Sequence, residues 1–204
     1  MKSEYIACDS SVEEEYYARG YKVIAGTDEA GRGPLAGRVY AAACVLPRWL
    51  ELPGLCDSKK LTERARERLF DAITSSALTY GIAYATVEEI DTLNILNSAL
   101  LAMRRAVEML DPVPDLVLVD GNISRGFAMP AVPIVGGDAI SLSIAAASVL
   151  AKVARDRYCA ELDEMYPDYG FKKHKGYPTK AHYDAIARLG PIAGVHRTSF
   201  KLYR

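Results

Sequence analysis

Residues 22 to 37, KVIAGTDEAGRGPLAG, run an apolar strand-like segment into two adjacent carboxylates, Asp28 and Glu29, and then into a glycine-rich turn carrying Arg32. Carboxylates at the end of a buried strand are costly to desolvate unless a cation sits between them, and a divalent metal is the usual solution. Gly31 and Gly33 leave room for close backbone approach, as a polyphosphate or nucleic-acid backbone requires. Two other arrangements compete for the stretch. An Asp-Glu pair is often simply a solvated turn. Gly31, Gly33 and Gly37 after a strand also invite a dinucleotide-binding reading, but they give G-x-G-x-x-x-G instead of G-x-G-x-x-G, and Pro34 would have to open the following helix. Residues 38 to 46, RVYAAACVL, read as a second strand, so the turn joins two strands.

The chain has 204 residues, half of them hydrophobic, enough for one domain with its own core. Cys8, Cys44, Cys56 and Cys159 form no C-x-x-C pair and no zinc-like spacing with the 3 histidines, so reduced structural thiols and a cytoplasmic location are expected. No apolar run approaches the roughly 20 residues that span a bilayer, and the acidic N-terminus does not resemble a secretion signal. A soluble monomer away from the membrane is the expectation, and no C-terminal extension reads as a clamp-binding tail. Net charge is only -1, but it is unevenly spread: residues 1 to 20 hold 2 basic against 5 acidic groups, residues 171 to 204 hold 8 basic against Asp184 alone. The basic end is a candidate nucleic-acid backbone face, with a solvated surface as the plain alternative.

Strand patterns fall at 22 to 28, 38 to 46, 78 to 86 and 115 to 120, with a weaker one at 132 to 135. Thr62 is placed to cap a helix over TERARERLFDAITSS, and residues 94 to 110 repeat apolar positions at helical spacing up to Asp111-Pro112. From Ser141 to about Tyr166 runs one long helical pattern whose first half is rich in alanine and serine, suited to pressing closely on a sheet near the carboxylates. A mixed sheet with helices against its faces is expected, followed by a C-terminal subdomain of turns, aromatics and lysines.

Two further acids stand at element ends. Asp120 closes DLVLV before Gly121, and Asp138 follows Gly136 and Gly137 just ahead of the alanine-rich helix. Either alone reads as an ordinary turn or cap. The ordered set DEAGRGPLAG (28–37), DSKKL (57–61), VDGN (119–122), GGD (136–138), AAASVLAKVARD (145–156), HKGYPT (174–179) and HRTSF (196–200) resembles the type 2 ribonuclease H family, bacterial ribonuclease HII. The match runs in the family's order from about residue 22 to residue 200.

The resemblance implies an α/β ribonuclease H-like fold: a five-stranded mixed sheet flanked by helices, with a small helical C-terminal subdomain. Residues 1–20 would be an extension, 21–165 the catalytic domain and 166–204 the basic subdomain. It implies an endonuclease acting on RNA-DNA hybrids and on ribonucleotide-containing duplex DNA, cutting 5′ to a single embedded ribonucleotide. Asp28, Glu29, Asp120 and Asp138 would be the catalytic acids, holding two Mg2+ or Mn2+ ions. Gly31, Arg32 and Gly33 would read the 2′-hydroxyl and Tyr177 would pack on the deoxyribose after the cut, while Lys59, Lys60, Ser148, Lys152 and Arg155 lie in motifs that contact phosphates. The alternative is a nucleic-acid-binding protein without catalysis. Arg38 makes the second strand start more polar than the family pattern, and His174, His182 and His196 read as separate structural histidines.

Overall fold

β1 (Ile24–Ala30) lies at the centre of a five-stranded sheet, which is why its first five residues, Asp28 included, are all buried. The computed structural model describes residues 8–55 and 61–203; Lys59 and Lys60 lie outside the described residues. β1 pairs antiparallel with β2 (Val39–Val45), which pairs antiparallel with β3 (Thr79–Ala85). On its other side β1 runs parallel to β4 (Leu116–Asp120), and β4 runs parallel to β5 (Ala131–Ile134). The order β3-β2-β1-β4-β5 is the mixed sheet expected, with the glycine turn joining β1 to β2.

Seven helices surround it: α1 (Ser11–Ala18), α2 (Glu63–Ser76), α3 (Val87–Leu93), α4 (Ile95–Glu108), α5 (Leu142–Met165), α6 (Phe171–His174) and α7 (Lys180–Leu189) among the described residues. β2 divides two cores by its period of two. Val39, Ala41, Ala43 and Val45 face Met103, Ala106 and Val107 of α4. Ala42 and Cys44 face Leu69 and Ile73 of α2 and the Ala145–Ala147 run of α5. α5, 24 residues and about 36 Å long, lies across β1 and β2. Its approach is so close that a Cβ on Gly26 would stand 2.3 Å from the Ser143 carbonyl carbon. No described helix is long and apolar enough to cross a membrane.

Thr62 caps α2 as expected, accepting from the Ala65 amide. The sequence reading did not anticipate α1 or α3. α3 opens with a reciprocal capping box between Thr86 and Glu89. Asn94, at φ 67°, ends it and caps α4 by accepting from the Leu96 and Asn97 amides. α1 is held by a buried carboxylate: Glu13 Oε1 accepts from Ser141 Oγ at 2.6 Å, Ser143 N at 2.9 Å and Ser143 Oγ at 2.6 Å. A bridge between Asp9 and Ser141 adds to this tether. The first turn of α5 is thus pinned from the N-terminal segment. Arg38 fits because its guanidinium lies over the rings of Tyr84 and Tyr158, at 4.1 and 5.1 Å from their centroids.

Candidate active site

The acids expected to act together come from three places on the fold. Asp28 and Glu29 end β1, Asp120 ends β4 immediately alongside it, and Asp138 sits in a short 3-10 turn, Gly137–Ala139, leading into α5. Parallel pairing of β1 and β4 puts both carboxyl ends at one sheet edge, where ligands of open sheets collect. Asp120 Oδ1 faces the Asp138 amide at 3.4 Å. Gly137 permits that approach, since a Cβ there would stand 3.3 Å from Asp120 Oδ1 and 2.5 Å from Ile144 Cδ1.

Asp28 points to α5. Burial, reinforced by the charges of Glu29 and then Asp120, holds its carboxyl well above the ordinary carboxylate range, against the opposing hydrogen bonds from Ser148 and the Glu29 amide. The Glu29 amide donates to Asp28 Oδ1 at 2.6 Å, and Glu29 itself meets Arg32 Nη1 at 3.4 Å. Like charges therefore neighbour one another along a partly dry sheet edge. The oxygen-only donor set suits a hard divalent cation. Among the described residues, no three His, Cys, Asp or Glu side chains stand as a ready-made ligand set around one point, so the acids are grouped by the backbone without being closed on a common centre.

Beside Glu29 opens a cleft of about 350 Å³. The turn from Ala30 to Gly33 forms one wall, Ser148, Lys152 and Arg155 of α5 a second, and Tyr177 a third. The seven described residues expected to meet nucleic acid all line this one cleft, whereas Asp28, Asp120 and Asp138 lie off its wall. Lys152 pairs with Asp156, while burial pushes its ammonium down. Arg155 is buried, donates to the Lys175 carbonyl at 2.9 Å and lies 5.9 Å from the Tyr177 ring centroid. Gly31, at φ +107°, is required by that arginine, because a Cβ there would meet Arg155 Nε at 2.1 Å.

Tyr177 is framed by histidines that sequence reading treated singly and the fold assembles. The His174 and His182 rings stack with centroids 4.2 Å apart, and the His182 and His196 Nε2 atoms are 3.1 Å apart. His196 Nδ1 accepts from Ile192 N at 2.8 Å and His174 Nδ1 accepts from Gly176 N at 3.1 Å. His182 Nδ1 meets the Tyr177 carbonyl at 3.0 Å and His174 Nε2 the Tyr169 carbonyl at 2.7 Å, contacts that require N–H donors. These partners assign His196 Nε2–H as donor to His182 Nε2 and leave every ring neutral. Burial holds His182 and His196 down at about 4, from an ordinary 6.5. Because the folded values are depressed, the unfolded chain takes up protons first, and stability falls as pH drops from about 6.5 towards about 4. Denaturant midpoints measured across that window are expected to fall steadily, and His182→Gln is expected to flatten the slope. A midpoint independent of pH there would contradict the neutral stack.

Sequence reading also passed over Glu13 and Arg197, both buried. Glu13 carries no spacing signal, since its partners lie some 130 residues away. Arg197 stood within HRTSF, but nothing in that motif indicates where its guanidinium points.

Known proteins share this chain's sequence and fold over most of its length. The family model described as Ribonuclease HII matches residues 25–203. Among curated relatives, a ribonuclease HII of Desulfitobacterium hafniense (strain Y51) is 52% identical over 200 residues, covering 98% of this chain and 76% of its own. One from Marinomonas sp. (strain MWYL1) is 54% identical over 190 residues, covering 92% and 95%. Among solved structures, the ribonuclease H2 from Pyrococcus horikoshii OT3 superposes with a TM-score of 0.74 at 25% identity, covering 89% of this chain and 95% of that one. A ribonuclease H-like sheet, acids gathered at its edge and identity of this extent over almost the whole length lead to one conclusion: the chain belongs to the ribonuclease HII family and is a ribonuclease H enzyme.

Proposed function

We propose that this protein is a metal-dependent endonuclease that hydrolyses the RNA strand of RNA-DNA hybrids and cuts 5′ to ribonucleotides embedded in duplex DNA, leaving 3′-hydroxyl and 5′-phosphate ends. The observation that carries the reading is the concentration of Asp28, Glu29 and Asp120 at one sheet edge, with Asp28 buried beside two like charges and Asp138 adjoining Asp120. Such an arrangement is unfavourable for a bare protein and favourable around cations. Asp28, Glu29, Asp120 and Asp138 would hold two divalent ions, Mg2+ or Mn2+, which when bound supply a water of lowered pKa and stabilise the leaving 3′-oxygen.

The remaining work falls to the cleft. Backbone amides of the Gly31-Arg32-Gly33 turn take hold of the 2′-hydroxyl, the one group that distinguishes RNA from DNA locally, without regard to base. Tyr177, 44% exposed, presents its ring to the adjoining deoxyribose. Ser148, Lys152 and Arg155 face the backbone phosphates, and Lys59 and Lys60 join them in this reading. Cutting is therefore independent of base sequence. The enzyme acts as a cytoplasmic monomer. A duplex carrying one ribonucleotide, incubated with Mg2+ or with Mn2+, is expected to be nicked once on its 5′ side and to yield a ligatable 3′-hydroxyl. Intact strands in both metals would defeat the proposal.

A further inference from the structure

Arg197 is fully buried, and no carboxylate hydrogen-bonds to it among the described residues. Asp91, whose charge reaches Arg197, is engaged elsewhere: its oxygens accept from the amides and hydroxyls of Thr198 and Ser199 at 2.6 to 3.0 Å. The five guanidinium N–H groups point instead at main-chain carbonyls of a single loop. Nε donates to Gly37 O at 2.9 Å, Nη1 to Arg32 O at 3.1 Å and Pro34 O at 2.8 Å, and Nη2 to Gly31 O at 2.7 Å and Arg38 O at 3.4 Å.

In a planar trans peptide the carbonyl of one residue and the amide of the next point in opposite directions. Drawing the Gly31 and Arg32 carbonyls inward onto Arg197 therefore turns the Arg32 and Gly33 amides outward, to the cleft that both residues line. Neither amide has a hydrogen-bond partner among the described residues. A buried cation placed behind the turn also raises the potential in front of it, where an electron-rich oxygen would sit. Glycine freedom alone would leave these peptides able to rotate.

We infer that Arg197 is the positioning residue for recognition of the 2′-hydroxyl, acting from behind the glycine turn by fixing the orientation of its amides without touching substrate. The inference rests on the function proposed above. Arginine is needed for geometry as well as charge: a lysine ammonium is a point donor with three protons and cannot span five carbonyls in one plane. The role is separable from duplex binding, which the α5 side chains and Tyr177 serve.

The test compares Arg197→Lys with the unaltered enzyme in two measurements: kcat and KM on a duplex with one ribonucleotide, and Ki of the all-DNA duplex of the same sequence as a competitor. Loss of well-aimed backbone donors is expected to lower kcat/KM about tenfold or more, while Ki for all-DNA duplex stays within about twofold. Unchanged kcat/KM, or a Ki that weakens in step with KM, would overturn the inference. Should Arg197→Lys fail to fold, Asp91→Asn loosens the segment holding Arg197 from outside the turn. It is expected to reduce kcat/KM in the same selective way and by less, and a selectivity left unaltered would count against the inference. Failure of the unaltered enzyme to cut would strike the proposed function instead, so the two failures are distinguishable.

Discussion

Asp28→Asn is expected to abolish cleavage, lowering kcat by about 10³-fold or more, while duplex binding through the cleft persists. The substitution is nearly isosteric and its amide oxygen can still accept from the Glu29 amide, which donates to Asp28 Oδ1 at 2.6 Å. What disappears is the carboxylate of an acid that feels both Glu29 and Asp120. Weakening the hold on divalent cations at the reacting phosphate by about 4 kcal/mol corresponds to a thousandfold in rate. Steady-state kinetics with Mn2+ and a separate binding titration check the two halves of the claim. Residual activity within tenfold of the parent would mean that Asp28 is not at the reacting centre, and equal loss of binding would mean that the substitution disturbs the fold.

The same variant carries an opposite expectation for stability. Because burial and like charges raise the Asp28 carboxyl well above its ordinary value, the unfolded chain gives up that proton first as pH rises, and the carboxyl costs the metal-free fold stability above the ordinary carboxylate range. Asparagine cannot ionise, so Asp28→Asn in a chelating buffer is expected to melt at a higher temperature than the parent. Added Mn2+ should then raise the parent more than the variant, closing the gap by mass action on the folded state. Catalytic groups held at an unfavourable ionisation are a familiar reason why activity and stability trade against one another.

The sheet was legible because its strands are dense in Val, Ala and Leu and end on turn residues. The long α5 was legible because nothing interrupts its helical pattern. α1 was not legible: SVEEEYYA has no clear apolar stripe, and the helix is held by Glu13 reaching Ser141 and Ser143, a contact made only in the folded chain. α3 carried a signal that went unused, the Thr86-x-x-Glu89 box directly after β3. Of the site, residue spacing supplied four acids at element ends, and only the resemblance to a family grouped them. Parallel pairing of β1 with β4 explains the neighbourhood of Asp28 and Asp120, a relation between strands some 90 residues apart that no local pattern encodes. The histidine stack and the buried Arg197 escaped for a like reason. Histidine and arginine advertise chemistry in a sequence without revealing whether their partners are solvent, ligands or main-chain groups.

Gly26→Ala is expected to cost about 3 kcal/mol of stability, at the upper end of ordinary overpacking, and to lower Tm by roughly 6 to 12 °C for a chain of this size. The conformational argument for glycine does not apply here, because Gly26 has no left-handed φ, and its strand setting would favour a side chain. The obstacle is α5. A Cβ would stand 2.3 Å from Ser143 C, 2.4 Å from Ile144 N and 2.5 Å from Ser143 Oγ, and two of those atoms are backbone. Nor can the helix slide away freely, since Ser143 is bound through both its amide and its hydroxyl to Glu13, and Ser141 caps the first turn. Either β1 or α5 must shift, and Asp28, two residues along on the same face, would separate from Ser148, five residues along the helix. Activity should therefore fall with stability in this variant. Gly20→Ala separates the two kinds of cost: that position has φ +100° with nothing within 4 Å, so only backbone strain of about 1 kcal/mol applies. Denaturant titrations of both variants decide the matter, and a Gly26→Ala protein as stable as its parent would mean that α5 does not press on β1 as described, removing the packing that seats Asp28 against Ser148.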